Sequence, residues 1–350
     1  MLPEHPLEGD LNHILAHMGD LWEELRATNI FLTGGTGFFG CWLLESFVRA
    51  NETFGLHASV TVLTRNVEAF QKKAPHLASH PAIRFHIGDV KTFIFPEDTF
   101  SHIIHASNEA AALIEKKETP ERVRDSIIQA ARHTLEFAGG CGCRHLLFTS
   151  SGSVYGPQPA DVLHIPETFT GIRDTSTFRY AHGEGKYVAE TLCADYAKKY
   201  GFTAKIARCF SFVGPYMPLD KTYAIGNFIG NVINNEDILI EGDGTPFRSY
   251  LYAADLAVWL WTVLFRGGSC RPYNVGSEEG LTIAQVARTV AEIAHAKQEI
   301  HILKKAEPGR TAERYVPSVR RARQELGLKQ HIGLKDAIRR TISWHLGQQL

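Results

Sequence analysis

Apolar residues in this chain follow two alternating rhythms. Between residues 10 and 27, Leu11, Ile14, Leu15, Met18, Leu21, Trp22 and Leu25 recur at the three- and four-residue spacing that lines one face of a helix. After Thr28, short segments rich in apolar and β-branched residues predict strands at 29–33, 59–64, 83–87 and 102–105, with two more at 144–149 and 204–208. Helical stretches are expected between them at 39–50, 121–138 and 181–200. Strands separated by helices need right-handed crossovers, so the expected fold class is α/β with a doubly wound parallel sheet. Past residue 209 the order loosens around Gly214-Pro215, Pro218 and Gly242-Asp243-Gly244, and a smaller lobe laid over the sheet is expected there. The expected division is a helical extension at 1–27, a main α/β domain at 28–208 completed by about 248–268, and a lobe formed by 209–247 and 269–350.

Composition narrows the partners. A 350-residue chain that is 44% hydrophobic and 21% charged is of ordinary globular type. Its net charge of −1 gives no overall pull towards nucleic acid or an anionic membrane, so neither is expected as a partner. An anionic ligand would have to be met by a few placed Arg or Lys side chains. No apolar run approaches the roughly 20 residues needed to span a bilayer. The first twenty residues carry Glu4, Glu8 and Asp10 without a basic start or apolar middle, and a cytoplasmic location is expected. Cysteines 41, 141, 143, 193, 209 and 270 are scattered through apolar surroundings, and the Cys141-Gly142-Cys143 spacing is too tight for a zinc pair. Reduced thiols and no metal are expected. His13 and His17, four apart, lack a third ligand in the local sequence.

The sharpest motif follows the first strand: Thr33-Gly34-Gly35-Thr36-Gly37-Phe38-Phe39-Gly40. A dinucleotide pyrophosphate needs a tight turn, a backbone with no Cβ in the way and a helix amino terminus facing its charge. Gly34, Gly37 and Gly40 can supply these in turn, with Phe38 and Phe39 opening the helix. The Gly-x-x-Gly-x-x-Gly spacing resembles that of the short-chain dehydrogenase/reductase family, and the resemblance runs from about residue 28 to 330. It implies a Rossmann-like domain that binds NAD or NADP. At the end of the second strand, where an NAD-selecting site usually has an acidic residue, this chain has Thr64-Arg65. A guanidinium there can pair with the extra phosphate of NADP, so NADP is favoured over NAD. By the resemblance, Asp89 and Val90 meet the adenine, and Ala106 and Ser107 lie under the pyrophosphate and nicotinamide ribose.

Further on, Thr149-Ser150-Ser151-Gly152-Ser153-Val154-Tyr155-Gly156 resembles the signature of the extended, epimerase/dehydratase branch of that family, which works on nucleotide-linked sugars. The resemblance makes Ser151 the residue that hydrogen-bonds the reacting hydroxyl or carbonyl, with Gly152 and Ser153 beside the substrate. The branch also carries a Tyr four residues before a Lys on one helical face, the Lys lowering the phenol pKa for proton exchange during hydride transfer. Lys186 fills the lysine position and is also expected to meet the cofactor, but the tyrosine position holds His182. Tyr180, six residues before Lys186, falls on another side of a helix. Three readings stay open: a working variant with His182 as proton carrier, titrating near its ordinary pKa of about 6.5; an impaired tyrosine replacement; or a cofactor-binding protein without turnover. Relatives that remove water across sugar carbons 5 and 6 place an Asp-Glu pair directly after the Ser/Thr. Gly152-Ser153 cannot do that acid–base work, so the usual dehydration is disfavoured, and an epimerase or keto-sugar oxidoreductase is expected.

The last third continues the likeness. Arg208-Cys209-Phe210-Ser211-Phe212-Val213-Gly214-Pro215 places Ser211 where the family usually has Asn. By the resemblance Arg248 grips a diphosphate, while Asn227, Asn274 and Arg314 meet phosphate, sugar or nucleotide; Asp255 is expected to brace the fold. Val188, Leu192, Tyr196 and Ala197 exceed what one sheet face requires of the helix at 181–200, and a homodimer is expected.

Overall fold

The computed structural model describes residues 5–171, 178–220, 223–295 and 297–347. The six expected strands are present: β1 (Asn29–Thr33), β2 (Ser59–Thr64), β3 (Ile83–Ile87), β4 (His102–His105), β5 (His145–Ser151) and β6 (Thr203–Cys209). With the strand Pro272–Val275 they form a seven-stranded sheet, parallel throughout, in the order Pro272–Val275, β6, β5, β4, β1, β2, β3. The order reverses between β1 and β4, and a crevice at such a point, beyond the carboxyl ends of the strands, is where open α/β sheets bind ligands.

Alternation along each strand divides the core between two faces. Ile30, Leu32, Ile104 and Leu147 point to one side, against the helices Glu8–Met18, Phe38–Phe54 and Ala253–Arg266. Phe31, Ile103, Leu146 and Phe148 point to the other, against Pro120–Gly140 and Phe178–Tyr200. Both faces being covered explains the mostly apolar central strands β1 and β4, whereas the edge strand β3 alternates apolar with polar residues and leaves Arg84 and Ile87 exposed.

Two expected boundaries move. The amino-terminal pattern predicts one helix over 10–27, but the helix ends at Met18 and the chain tightens into a 3₁₀ segment, Gly19–Leu25. Gly19 sits at a φ of +48°, which an α-helix cannot continue. This stretch is no loose extension: Asp10 accepts hydrogen bonds from Tyr252 (2.6 Å) and Arg340 (2.5 Å). The second change concerns Pro272–Val275, assigned to the lobe by sequence, which completes the central sheet beside β6. Asp255 braces the fold, accepting from the backbone N–H groups of His331 (2.8 Å) and Ile332 (2.9 Å) and facing His13 at 3.0 Å.

Within the lobe a three-stranded ribbon joins Leu281–Thr282, Phe247–Arg248 and Arg314–Tyr315. Its register sets Tyr315 beside Arg248, and Arg314 beside Phe247. Neighbours in register share a face, so the two arginines project to opposite sides of the ribbon.

Candidate active site

The glycine loop has the shape a dinucleotide requires. Gly34 has a φ of +73°, and a Cβ there would lie 2.5 Å from the Ala106 carbonyl and 2.6 Å from Ser107 N. At Gly40 a Cβ would come within 2.3 Å of the Gly34 oxygen, so the helix Phe38–Phe54 starts directly against the turn. Gly37 is its N-cap and contributes no side-chain cap, which leaves the first N–H groups of the helix available to an anion. Phe39 packs edge-on to Phe212, ring centres 5.0 Å apart. These residues fit a pyrophosphate. At the ribose end, Arg65 is 78% exposed and its guanidinium lies 4.0 Å from the Asp89 carboxylate, which also accepts from Lys91 N. Val90 packs against the Phe31 side of the core.

The candidate reacting centre lies where β5 ends. Ser151 caps a short 3₁₀ turn, Gly152–Tyr155, accepting from Ser153 N at 3.1 Å. Ser153 Oγ also donates to Ser151 Oγ at 2.9 Å, and Ser153 Oγ lies 3.0 Å from His182 Nδ1. A hydroxyl has one hydrogen to give, so His182 donates to Ser153 from Nδ1. The result is a line of donors from His182 through Ser153 to Ser151, whose own hydrogen is left for another acceptor. Gly183 permits this approach: a Cβ there would stand 2.1 Å from the Ser153 carbonyl oxygen. One turn along the same helix, Lys186 is buried, donates to the Thr149 carbonyl at 3.1 Å and lies 4.9 Å from the Phe148 ring centre.

Burial, and secondarily the Lys186 charge, push the His182 imidazole down to about 3. Of the three open readings, that environment weighs against the one in which His182 carries the proton by titrating near its ordinary pKa, since burial favours the neutral ring. Beneath the site Glu190 accepts three hydrogen bonds from Arg208, at 2.9, 3.3 and 2.6 Å, and another from Ser150. Arg208 also stacks on the Tyr155 ring, 4.8 Å from its centre.

The residues assigned to the substrate end divide. Arg248 shares its face of the ribbon with Tyr315 and holds the Phe247 carbonyl (2.8 Å), with Glu313 at 3.8 Å. Arg314 instead lies over the Phe247 ring at 3.9 Å, on the opposite face. Ser211 is half-buried just beyond β6, its carbonyl accepting from Leu251 N at 3.1 Å. Asn227 Oδ1 is buried without a hydrogen-bond partner among the described residues, a deficit a ligand could repair. Asn274 departs from expectation. It is fully buried, both its amide hydrogens go to the Ile165 and Ser318 carbonyls, and its oxygen accepts from Tyr155, so it has no donor left for phosphate. Sequence reasoning missed Tyr315, whose hydroxyl lies 3.4 Å from Ser151 Oγ although the residues are 164 apart in the chain.

Among the described residues, His5, Glu45 and His76 present ligand atoms within 4.8 Å of one another. Leu7 N donates to His5 Nδ1, which leaves the ring hydrogen on Nε2, facing Glu45. Tyr216 and His76 also bond to that carboxylate, so hydrogen bonds already join the cluster. No helix among the described residues is long and apolar enough to cross a membrane.

A cleft shaped for a dinucleotide after β1, with Ser151 and Lys186 at the end of β5 on the same edge of the sheet, is the arrangement of a Rossmann-type enzyme. The chain belongs to the NAD dependent epimerase/dehydratase family, whose model matches residues 30–276. It is 28% identical over 311 residues to UDP-glucuronic acid decarboxylase 6 of Arabidopsis thaliana, covering 88% of this chain and 86% of the relative. Its fold is similar to that of UDP-glucose 4-epimerase from Thermotoga maritima, solved with UDP-glucose (TM-score 0.74, 21% identity, 91% of this chain and 99% of that one). It also resembles UDP-glucuronic acid 4-epimerase from Bacillus cereus, solved with UDP-glucuronic acid and NAD (TM-score 0.75, 17% identity, 91% and 99%).

Proposed function

We propose that the protein oxidises the C4 carbinol of a UDP-linked uronic acid with NAD, and that the resulting 4-keto acid loses its C6 carboxylate as CO2. The observation that carries this reading is the donor line His182–Ser153–Ser151, one helical turn from buried Lys186 and with no carboxylate directly after Ser151. When bound in the glycine cleft, NAD supplies the hydride acceptor. Ser151 holds the reacting oxygen with the hydrogen that Ser153 leaves free, and the carbinol proton passes to water as the hydride leaves C4. His182 works as an uncharged donor that orients both serines. Lys186, fixed by the Thr149 carbonyl, supplies a positive charge close to the oxygen.

A ketone at C4 is β to the C6 carboxylate. Loss of CO2 then moves an electron pair towards the ketone oxygen, which a donor at that oxygen stabilises; C5 next takes a proton from water, and C4 regains its hydride and its oxygen a proton, which gives the UDP-pentose with the nicotinamide back in its oxidised form. Dehydration across C5 and C6 would require an acid–base pair, and Gly152-Ser153 cannot provide it. The decarboxylase relatives, aligned along 88% of the chain, support both the nucleotide and the sugar acid. NAD rather than NADP is supported by the family and by Asp89, whose carboxylate opposes a ribose phosphate beside Arg65. Arg65→Ala should therefore leave NAD affinity within about threefold; a selective loss of NADP binding would restore the NADP reading. A two-fold dimer through Pro120–Gly140 and Phe178–Tyr200 is supported by Val188, Leu192 and Tyr196, which are only half-buried although Leu192 and Tyr196 also touch the core, whereas Ala197 is buried in it. Light scattering should give twice 39.0 kDa.

The test is product analysis by NMR after incubation with NAD and UDP-glucuronate, alongside UDP-glucose and dTDP-glucose. A UDP-pentose lacking C6 is expected. UDP-galacturonate as sole product would mean C4 epimerisation, and a product only from the neutral sugars would refute the uronate reading.

A further inference from the structure

We infer that Tyr315 is a catalytic residue, its phenol donating a hydrogen bond to the same reacting oxygen that Ser151 holds. This rests on the carbinol oxidation proposed above and adds a residue from the other lobe to it. Tyr315 reaches the end of β5 from the ribbon, where its register partner is Arg248. Its ring lies 4.7 Å from that of Phe210, centre to centre, and the Arg248 guanidinium lies 5.9 Å from its centre. Phe210 is itself held against Gly152, where a Cβ would come within 2.6 Å of the ring. The phenol is thus fixed on one side by the turn that carries Ser151 and on the other by the ribbon.

The separation of the two hydroxyls is informative. At 3.4 Å they are farther apart than the roughly 2.7 Å of a good O–H···O bond. An oxygen atom placed between them can sit at hydrogen-bond distance from both. Ser151 already accepts from Ser153 N and Ser153 Oγ, so its hydrogen is free to point there. Burial raises the Tyr315 phenol to about 12, which keeps its hydrogen in place at ordinary pH. Two preorganised donors at the oxygen on which charge grows form an oxyanion hole, and removing one such donor lowers kcat by about 10²–10³. The site would also depend on closure of the ribbon onto the sheet, since one donor comes from each.

Tyr315→Phe keeps the tilted ring contact with Phe210 and removes only the hydroxyl. With UDP-glucuronate and NAD, kcat is expected to fall about 100-fold or more with KM within about threefold, and the melting temperature to hold. Calorimetric binding of UDP-glucuronate to the NAD-free protein is expected within about threefold of wild type, because the donor acts on charge that develops only during reaction. Ser151→Ala measured in parallel should lose kcat similarly. If Ser151→Ala is crippled while Tyr315→Phe keeps wild-type kcat, the Tyr315 assignment is overturned and the proposed chemistry stands. A wild-type protein that binds NAD yet turns over no UDP-sugar overturns both.

Discussion

Replacing Gly183 by alanine should disable the enzyme without unfolding it. The new Cβ would stand 2.1 Å from the Ser153 carbonyl oxygen and 2.7 Å from its carbon. Both atoms belong to the backbone of the turn Gly152–Tyr155, so no side chain can rotate out of the way. Reaching an ordinary contact of 3.4 Å means opening the gap between helix and turn by about 1.3 Å. The 3.0 Å bond between His182 Nδ1 and Ser153 Oγ crosses that same gap, and it would be stretched to roughly 4 Å, beyond hydrogen-bond range. Overpacking of this kind costs about 1–3 kcal/mol. Alanine returns about 1 kcal/mol through its higher helix propensity. Net destabilisation should stay below about 2 kcal/mol, whereas misplacing a catalytic group by an ångström lowers kcat about 100-fold. Urea denaturation followed by far-UV circular dichroism would measure the first quantity, and the initial rate with NAD and UDP-glucuronate the second. Gly140→Ala is the control, because a Cβ there meets nothing within 4 Å. A folded Gly183→Ala protein with wild-type kcat would refute the donor line from His182 to Ser151.

Two further outcomes follow from buried charge. Glu190→Gln strands the Arg208 guanidinium beneath the site and should cost about 3–5 kcal/mol, read as a lower urea midpoint at unchanged slope; a loss under 1 kcal/mol would mean the pair is not buried as described. His102, His105 and His182 are all held near 3 chiefly by burial, so the unfolded chain takes up protons below about pH 6.5 that the native chain refuses. Stability should therefore fall as pH drops from about 6.5 towards 3, by up to about 1.4 kcal/mol per pH unit for each histidine, and His182→Gln should reduce the slope by one proton. The same environment predicts no limb near pH 6.5 in the kcat profile; one that vanishes in His182→Gln would contradict it.

The sequence made the sheet legible because the central strands β1 and β4 are covered on both faces and read as short apolar runs, whereas β2 and the edge strand β3 were visible through β-branched or aromatic residues alternating with polar ones. Helix Phe178–Tyr200 was visible for the same kind of reason, with Ala181, Ala189 and Cys193 on the buried side. Pro272–Val275 was not recognised as a sheet strand, since four residues opened by a proline carry little periodic signal. Its Asn274 drew attention as a polar residue in a motif, and only the contacts with Tyr155, Ile165 and Ser318 reveal that it is a brace. The candidate serine–lysine pair was legible only through the family resemblance of residues 149–156 and of the Lys186 position, with His182 one turn before Lys186 marking the departure. Tyr315 was not legible, since it stands on a two-residue strand and meets Ser151 only through the folding of the lobe. The pKa of His182 was equally hidden, because it depends on burial rather than on neighbours in sequence.

The central claim is that hydride leaves C4 of a UDP-linked uronic acid and the carboxylate then departs. One incubation tests it: protein and NAD with UDP-glucuronate carrying deuterium at C4 and carbon-13 at C6. The account predicts labelled CO2 equal in amount to the UDP-pentose formed, a rate slowed by the deuterium, and the deuterium found at C4 of the product or on the nicotinamide. Unlabelled headspace with deuterium undisturbed at C4 of recovered substrate would contradict it.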